Sequence, residues 1–226
     1  MQELGTAGYR LCLWKNDMNS FCLDEALSRY LDPQQRIRLA HSCVGIIGAG
    51  GLGSNCAMML ARTGIGRLIL ADHDVVEPSN LNRQHFFPRH VGQFKVDALA
   101  EQLRELNPEI ELVLSHERQT EASVLALCTG CNVVVEAVDT PETKRMLVET
   151  LLRAGHRVVS ASGMAGWGGS DMTRKSMGRL VIVGDMTCAV GPHMPPLSPR
   201  VTMAAALEAD TVLELLLGRM HAGRME

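Results

Sequence analysis

From Cys43 onward the apolar positions fall into short runs separated by longer stripes of helical spacing. "CVGII" is a run of the kind buried on both faces, Leu52 to Thr63 repeats at helical spacing, and "RLILAD" is a second run. These three predict a βαβ unit. The rhythm continues with a helix from Lys95 to Leu106 closed by Asn107-Pro108, a strand at "IELVLSH" and a short helix near Glu121 to Leu127. A strand at "NVVVEAVD", a helix from Glu142 to Ala154 ended by Gly155, and a strand at "RVVSAS" follow. The glycine-rich "SGMAGWGGSD" interrupts the alternation, after which "GRLVIVGD" reads as a strand and "RVTMAAALEADTVLELLLG" as a closing helix. Such βα repeats predict an α/β fold, doubly wound and Rossmann-like, with a mostly parallel sheet and helices on both faces.

Residues 1–40 depart from this rhythm. "LDEALSRYLDPQQRIRLAHS" reads as one or two helical pieces around Pro33, an arm or lid ahead of an α/β domain over residues 41–226. A chain of 226 residues, 46% apolar, has enough material for one such domain with an appendage. The 22 basic and 25 acidic residues are mixed, net −3, with no long basic run, which argues against a nucleic-acid-binding body. The apolar stretches are shorter than a membrane span or a signal-peptide core, so a soluble cytoplasmic protein without membrane contact is expected.

Seven cysteines, an odd number and mostly inside apolar segments, fit reduced thiols better than a disulfide framework. Only Cys128 and Cys131 form a C-x-x-C pair. That supplies two of the four ligands a structural zinc needs, with no second pair or His pair nearby in sequence to complete it.

The candidate chemistry begins at "VGIIGAGGLGS". Gly48 permits the tight turn, Gly50 lets backbone approach a phosphate, and Gly53 lets the following helix pack on the sheet, with Gly51 between them. The free N–H groups opening that helix favour an anion. This spacing alone serves a nicotinamide cofactor or ATP equally well. Asp72 ends the second strand, where an acid accepts hydrogen bonds from ribose hydroxyls; Asp74 receives no role. Asn80, Arg83, Gln84 and Lys95 follow, a concentration of phosphate-directed donors that suits a triphosphate with a leaving pyrophosphate better than a dinucleotide.

The motifs "GAGGLGS", "DHDVVEPSNLNRQ", "VGQFK" and "VVEAVDTPETKR" together resemble the ubiquitin-activating-enzyme-like family that includes ThiF, MoeB and HesA, over roughly Arg36 to Gly218. The glycine-rich segment and the closing helix look most like compact ThiF variants. The resemblance implies ATP and Mg²⁺, with Asp72 on the ribose, Asn80 and Arg83 on the phosphates, Gln84 supporting Arg83, Lys95 stabilising the triphosphate and Asp139 holding the metal. Helix N-capping ahead of Pro141 is the structural alternative for Asp139. Family members adenylate the C-terminal glycine carboxylate of a small ubiquitin-like carrier, which here implies a sulfur carrier ending in Gly-Gly, of the ThiS type in thiamine biosynthesis, and a homodimer. An N-terminal arginine often reaches the partner subunit's ATP in this family; Arg29 and Arg36 compete for that role.

The departures are equally specific. After residue 131 only Cys188 remains, so the two C-x-x-C pairs of the zinc-binding members are missing and no zinc is expected. Cys188 in "GDMTCAVGP" is the one candidate for downstream sulfur chemistry by position. Trp167 is read equally as core or as an apolar contact for the carrier. His73, His85 and His90 lie near the nucleotide segment without a catalytic role, and Met58, Met59, Met164, Met172, Met194 and Met203 are core filler or, in the glycine-rich part, adaptable surface. Alternatives left open are a threonylcarbamoyladenosine-dehydratase-like tRNA-modification enzyme, a nicotinamide-dependent oxidoreductase and an inactive scaffold.

Overall fold

The computed structural model describes residues 22–219. Seven strands form one sheet in the order β3-β2-β1-β4-β5-β7-β6. They span Cys43–Ile47 (β1), Arg67–Ala71 (β2), Glu111–Ser115 (β3), Val133–Glu136 (β4), Val158–Ala161 (β5), Thr173–Met177 (β6) and Leu180–Gly184 (β7). All neighbours pair parallel except β6 with β7. The chain winds outward from β1 to β3, then returns to place β4 on the other side of β1. The doubly wound, mostly parallel α/β fold expected from the sequence is present.

The helices are Leu23–Leu27 (α1), Pro33–Ala40 (α2), Gly51–Arg62 (α3), Lys95–Leu106 (α4), Glu121–Leu127 (α5), Pro141–Arg153 (α6) and Ser198–Leu217 (α7). Alternation along each strand sends side chains to opposite faces. Val44 and Ile46 of β1 therefore join the core formed with α3, α4 and α7, whereas Ile47 joins the smaller core against α5 and α6. Within α2, Asp32 accepts from Gln35 N while Gln35 Oε1 accepts from Asp32 N, closing the first turn, and Leu39 is buried in the larger core. The arm expected over residues 1–40 lies over residues 1–21 outside the described residues. No helix among the described residues is long and apolar enough to cross a membrane.

Strand β6 has no apolar rhythm to announce it, because all five of its residues are exposed. It is held by pairing with β7 and by Arg174, which reaches Asp210 and Glu214 on α7. Short 3-10 turns at Pro78–Asn80 and Pro88–His90 shape the long segment from β2 to α4.

Candidate functional site

An open cavity of about 850 Å³ lies at the carboxyl ends of the strands, where β1 separates the two windings. Its floor is the turn from β1 into α3. Gly48 has φ +103°, and a Cβ there would come within 2.5 Å of Ala137 O. Gly53 is closer still: a Cβ would lie 1.8 Å from Gly48 O, so only glycine lets α3 descend onto the strand end. Gly50, the N-cap of α3, makes no side-chain cap and the first turn carries no acidic residue, so the helix presents bare N–H groups to the cavity. Gly48, Gly50 and Gly51 line it; Gly53 is packed beneath.

One wall comes from the segment between β2 and α4. Asp72 Oδ2 accepts from Ala49 N at 2.7 Å and Oδ1 from Asp74 N at 2.9 Å, which fixes the carboxylate against the glycine turn. Lys95 Nζ donates to Asp74 Oδ2 at 2.7 Å, assigning a partner to the acid that sequence left without a role. Burial pushes the Asp74 carboxyl up, but the Lys95 ammonium, with His73 and Arg118 further out, outweighs it and holds the group below the usual carboxylate range. Asp72, His73 and Asp74 bring ligand atoms close together, yet Asp72 and Asp74 are engaged as just described.

Arg83 lines the cavity and donates to Ser79 O and Asn82 Oδ1, not to Gln84. Gln84 is buried beside Gly50, and its Oε1 has no hydrogen-bond partner. Asn80 is the one phosphate-directed residue that does not line the cavity. Its Oδ1 accepts from Glu77 N and its amide lies 3.4 Å from Ser79 Oγ, so it closes the 3-10 turn that presents Arg83.

The other wall is assembled from distant segments. Asp139 stands exposed at the end of β4 and lines the cavity, with Oδ1 accepting from Thr140 Oγ1 at 3.2 Å. The N-cap of α6 is Thr140, without a side-chain cap, so the capping alternative for Asp139 does not hold. Lys144, which sequence reasoning passed over, also lines the cavity. Its ammonium donates to Glu136 Oε2 at 2.5 Å, and that fully buried carboxylate also accepts from Ser160 Oγ and Val138 N. Ser162, Gly163 and Ala189 complete this side.

Beyond them Asp185 and Arg200 form a buried ion pair, and Arg200 donates to Ser170 O, tying α7 to the glycine-rich loop. Burial pushes the Asp185 carboxyl up, but hydrogen bonds from Cys188 and Thr187 prevail and hold it far below the usual range. Cys188 is half-buried, with its N–H on Asp185 Oδ1 and its Sγ 3.7 Å from Thr187 Oγ1; it does not line the cavity.

Trp167 is 74% exposed, which removes the core alternative. Met58 is buried, Met164 lines the cavity, and Met194 and Met203 are exposed. His90 is buried with Nδ1 accepting from Phe87 N, His85 pairs with Gln102, and His73 with Arg118. Arg29 and Arg36 lie away from the cavity, and Arg36 is paired with Asp24.

The glycine turn, the bare helix end and the facing cations define a Rossmann-like fold with a carboxyl-end site suited to a polyanionic ligand. The model of the ThiF family matches residues 23–224, and the chain belongs to that family. Among curated proteins it is 35% identical over 151 residues to "Adenylyltransferase and sulfurtransferase uba4" of Aspergillus niger, covering 63% of this chain and 31% of that protein. It is 40% identical over 135 residues to "Adenylyltransferase and sulfurtransferase MOCS3" of Bos taurus, covering 59% of this chain and 30% of that protein. The match thus spans under a third of those relatives. Among solved structures, E. coli tRNA N6-threonylcarbamoyladenosine dehydratase TcdA in complex with ATP superposes with a TM-score of 0.76 at 22% identity, covering 85% of this chain and 92% of that one. That likeness establishes the fold.

Proposed function

We propose that this chain is an ATP-dependent adenylyltransferase that activates the terminal glycine carboxylate of a small ubiquitin-like sulfur carrier. The observation that carries the reading is the cavity itself: a glycine turn and bare helix end face Arg83, Lys95 and Asp139, the donor set that a triphosphate with a hard cation requires. The names of the uba4 and MOCS3 relatives, which state adenylyl transfer, and the ATP complex of TcdA support it.

In this reading Asp72 takes the ribose, the α3 N-terminus and Arg83 take phosphates, and Lys95 leaves Asp74 for the triphosphate. Asn80 acts through the turn that presents Arg83, and Gln84 directs its amide Nε2, which lies beside Gly50, at the ligand phosphates. Asp139, exposed and with one oxygen lightly engaged, would hold Mg²⁺ as a hard oxygen ligand. The metal supplies charge neutralisation between the two anions. The carrier carboxylate is ionised at neutral pH and needs no base; one of its oxygens bonds to the α-phosphorus as the bond to the pyrophosphate oxygen breaks. The exposed Trp167 and the glycine-rich loop beside it form the carrier's contact. A homodimer would bring Arg29 or Arg36 of a second copy toward the site. The ThiS carrier of thiamine biosynthesis is one member of the substrate class.

Pyrophosphate exchange into ATP with a panel of Gly-Gly-ended carriers tests the reading. The matching carrier gains the mass of AMP, and the same carrier amidated at its terminus does not. Arg83→Ala and Asp139→Ala each lose about 2 to 4 kcal/mol of transition-state stabilisation, roughly thirtyfold to a thousandfold in rate, while remaining folded. Submicromolar NADH binding without response to Mg-ATP would overturn it.

A further inference from the structure

Phosphate, ribose and metal have residues in the proposed site; the nucleobase has none. Part of the cavity lining is nevertheless apolar. Ile47 at the end of β1, Ala71 at the end of β2, Val138 beyond β4 and Leu147 on α6 all line it, and all four belong to the smaller core against α5 and α6. A polyanion gains nothing from such a strip, whereas the flat face of a base is apolar and is stabilised by covering it. The helix α3, whose N–H groups face the phosphates, packs on the opposite face of the sheet in the larger core. A nucleotide held by phosphate at α3 and by ribose at Asp72 therefore crosses the strand ends and carries its base to the α5–α6 side.

The loop after β3 reaches that side. Glu117, Arg118 and Gln119 line the cavity, and Thr120 then opens α5, whose Val124 lies in the smaller core. This loop is firmly held. Asp72 N donates to Ser115 O at 3.0 Å, Gln119 Nε2 donates to Ser115 Oγ and Glu117 O, and Gln119 Oε1 accepts from Ser123 Oγ. Buried Gln119 is thus used by the loop itself, and it is Arg118 that the loop presents. Arg118 is exposed, and its Nη2 donates to His73 Nε2 at 3.1 Å. An imidazole that accepts at Nε2 is neutral, with its proton on Nδ1, so His73 orients the guanidinium without neutralising it. Among the described residues no carboxylate forms an ion pair with Arg118.

We infer that Arg118, oriented by His73, determines nucleobase specificity: its planar guanidinium covers one face of a purine whose other face rests on the strip of Ile47, Ala71, Val138 and Leu147. This rests on the adenylyltransferase reading and adds to it the group that selects among triphosphates. A guanidinium over a ring is attracted by the π-face and stacks by its plane, which an ammonium cannot do. Such a contact rewards the larger face of a purine over that of a pyrimidine.

The test is equilibrium titration of the full chain with Mg-ATP, Mg-UTP and Mg-tripolyphosphate. Arg118→Ala, at an exposed position, is expected to weaken Mg-ATP by about tenfold, to weaken Mg-UTP by about threefold or less, and to leave Mg-tripolyphosphate unchanged. Arg118→Lys keeps the charge and loses the plane, so it is expected to narrow the preference for ATP over UTP as the alanine variant does. Equal losses for all three ligands in Arg118→Ala would place the guanidinium on phosphate, and an ATP affinity equal to wild type would leave it without a ligand. Either result overturns the inference while the adenylyltransferase reading stands. Wild-type protein that does not bind Mg-ATP overturns that reading, and the inference with it.

Discussion

The two walls of the cavity each present a lysine, and the two lysines are held in different ways. On the β2–α4 wall, Lys95 is almost covered, but its partner Asp74 is half exposed, with 52% of its side chain accessible. On the β4–α6 wall, Lys144 is 28% accessible and its partner Glu136 is 0% accessible. An exposed carboxylate is readily rehydrated, so Lys95 can exchange Asp74 for a ligand phosphate at little cost. A buried one has no water to turn to, and removing its cation leaves Glu136 with only Ser160 and Val138 N. One wall is built to let go of its cation and the other to keep it.

The sharpest way to break this contrast is Lys144→Met. It is expected to destabilise the fold by about 3 kcal/mol, the lower part of the range for a broken buried pair because Lys144 is partly solvated. Urea unfolding measures it, and the double variant Lys144→Met/Glu136→Gln should recover much of the loss. Wild-type stability in the single variant would mean that Glu136 does not depend on Lys144.

The next effect tests how low the dielectric behind that wall is. Glu208 on α7 is fully buried, and neither carboxyl oxygen has a partner. Burial pushes this acid well above its usual range, opposed by Lys144 and reinforced by Glu136. A folded-state pKa above the unfolded value contributes stability that is complete below the unfolded pKa and is lost as pH rises toward the folded pKa. From about pH 5 to pH 7 wild type should therefore lose up to about 1.4 kcal/mol per pH unit relative to Glu208→Gln. Parallel pH profiles from chemical denaturation would show Glu208 to be solvated.

The smallest effect on stability belongs to Lys95→Met, at about 0.5 kcal/mol or less, since its partner is exposed and methionine keeps the buried stem. The same variant should lose pyrophosphate exchange by at least about thirtyfold. Loss of fold in step with loss of exchange would erase the difference between the walls.

The first wall was legible because it is local. Asp72, Arg83, Gln84 and Lys95 sit in one segment whose spacing declares donors, and that segment brings them to one side of the glycine turn. Even there, Asn80 took a place that spacing alone does not reveal, since its amide is used by its own turn. On the second wall Asp139 was marked in the sequence but the ion pair behind it was not legible: Glu136 lies inside a strand, Lys144 on the following helix and Ser160 on a neighbouring strand. Each reads as an ordinary residue of its element until packing brings them together.

The sequence by itself determined the βα alternation, the bounds of α4 and α5 and the glycine turn, because helical stripes, buried runs and the steric freedom of glycine are properties of neighbouring residues. It did not determine β6, whose exposed residues become a strand only through the hydrogen bonds that β7 offers. Nor did it determine that Cys43 would meet Cys131, 88 residues further along, or that Glu208 would be buried without a partner. Those outcomes depend on which strands lie side by side and which helix face is covered, and distance in space, unlike periodicity, is not encoded in the spacing of residues along the chain.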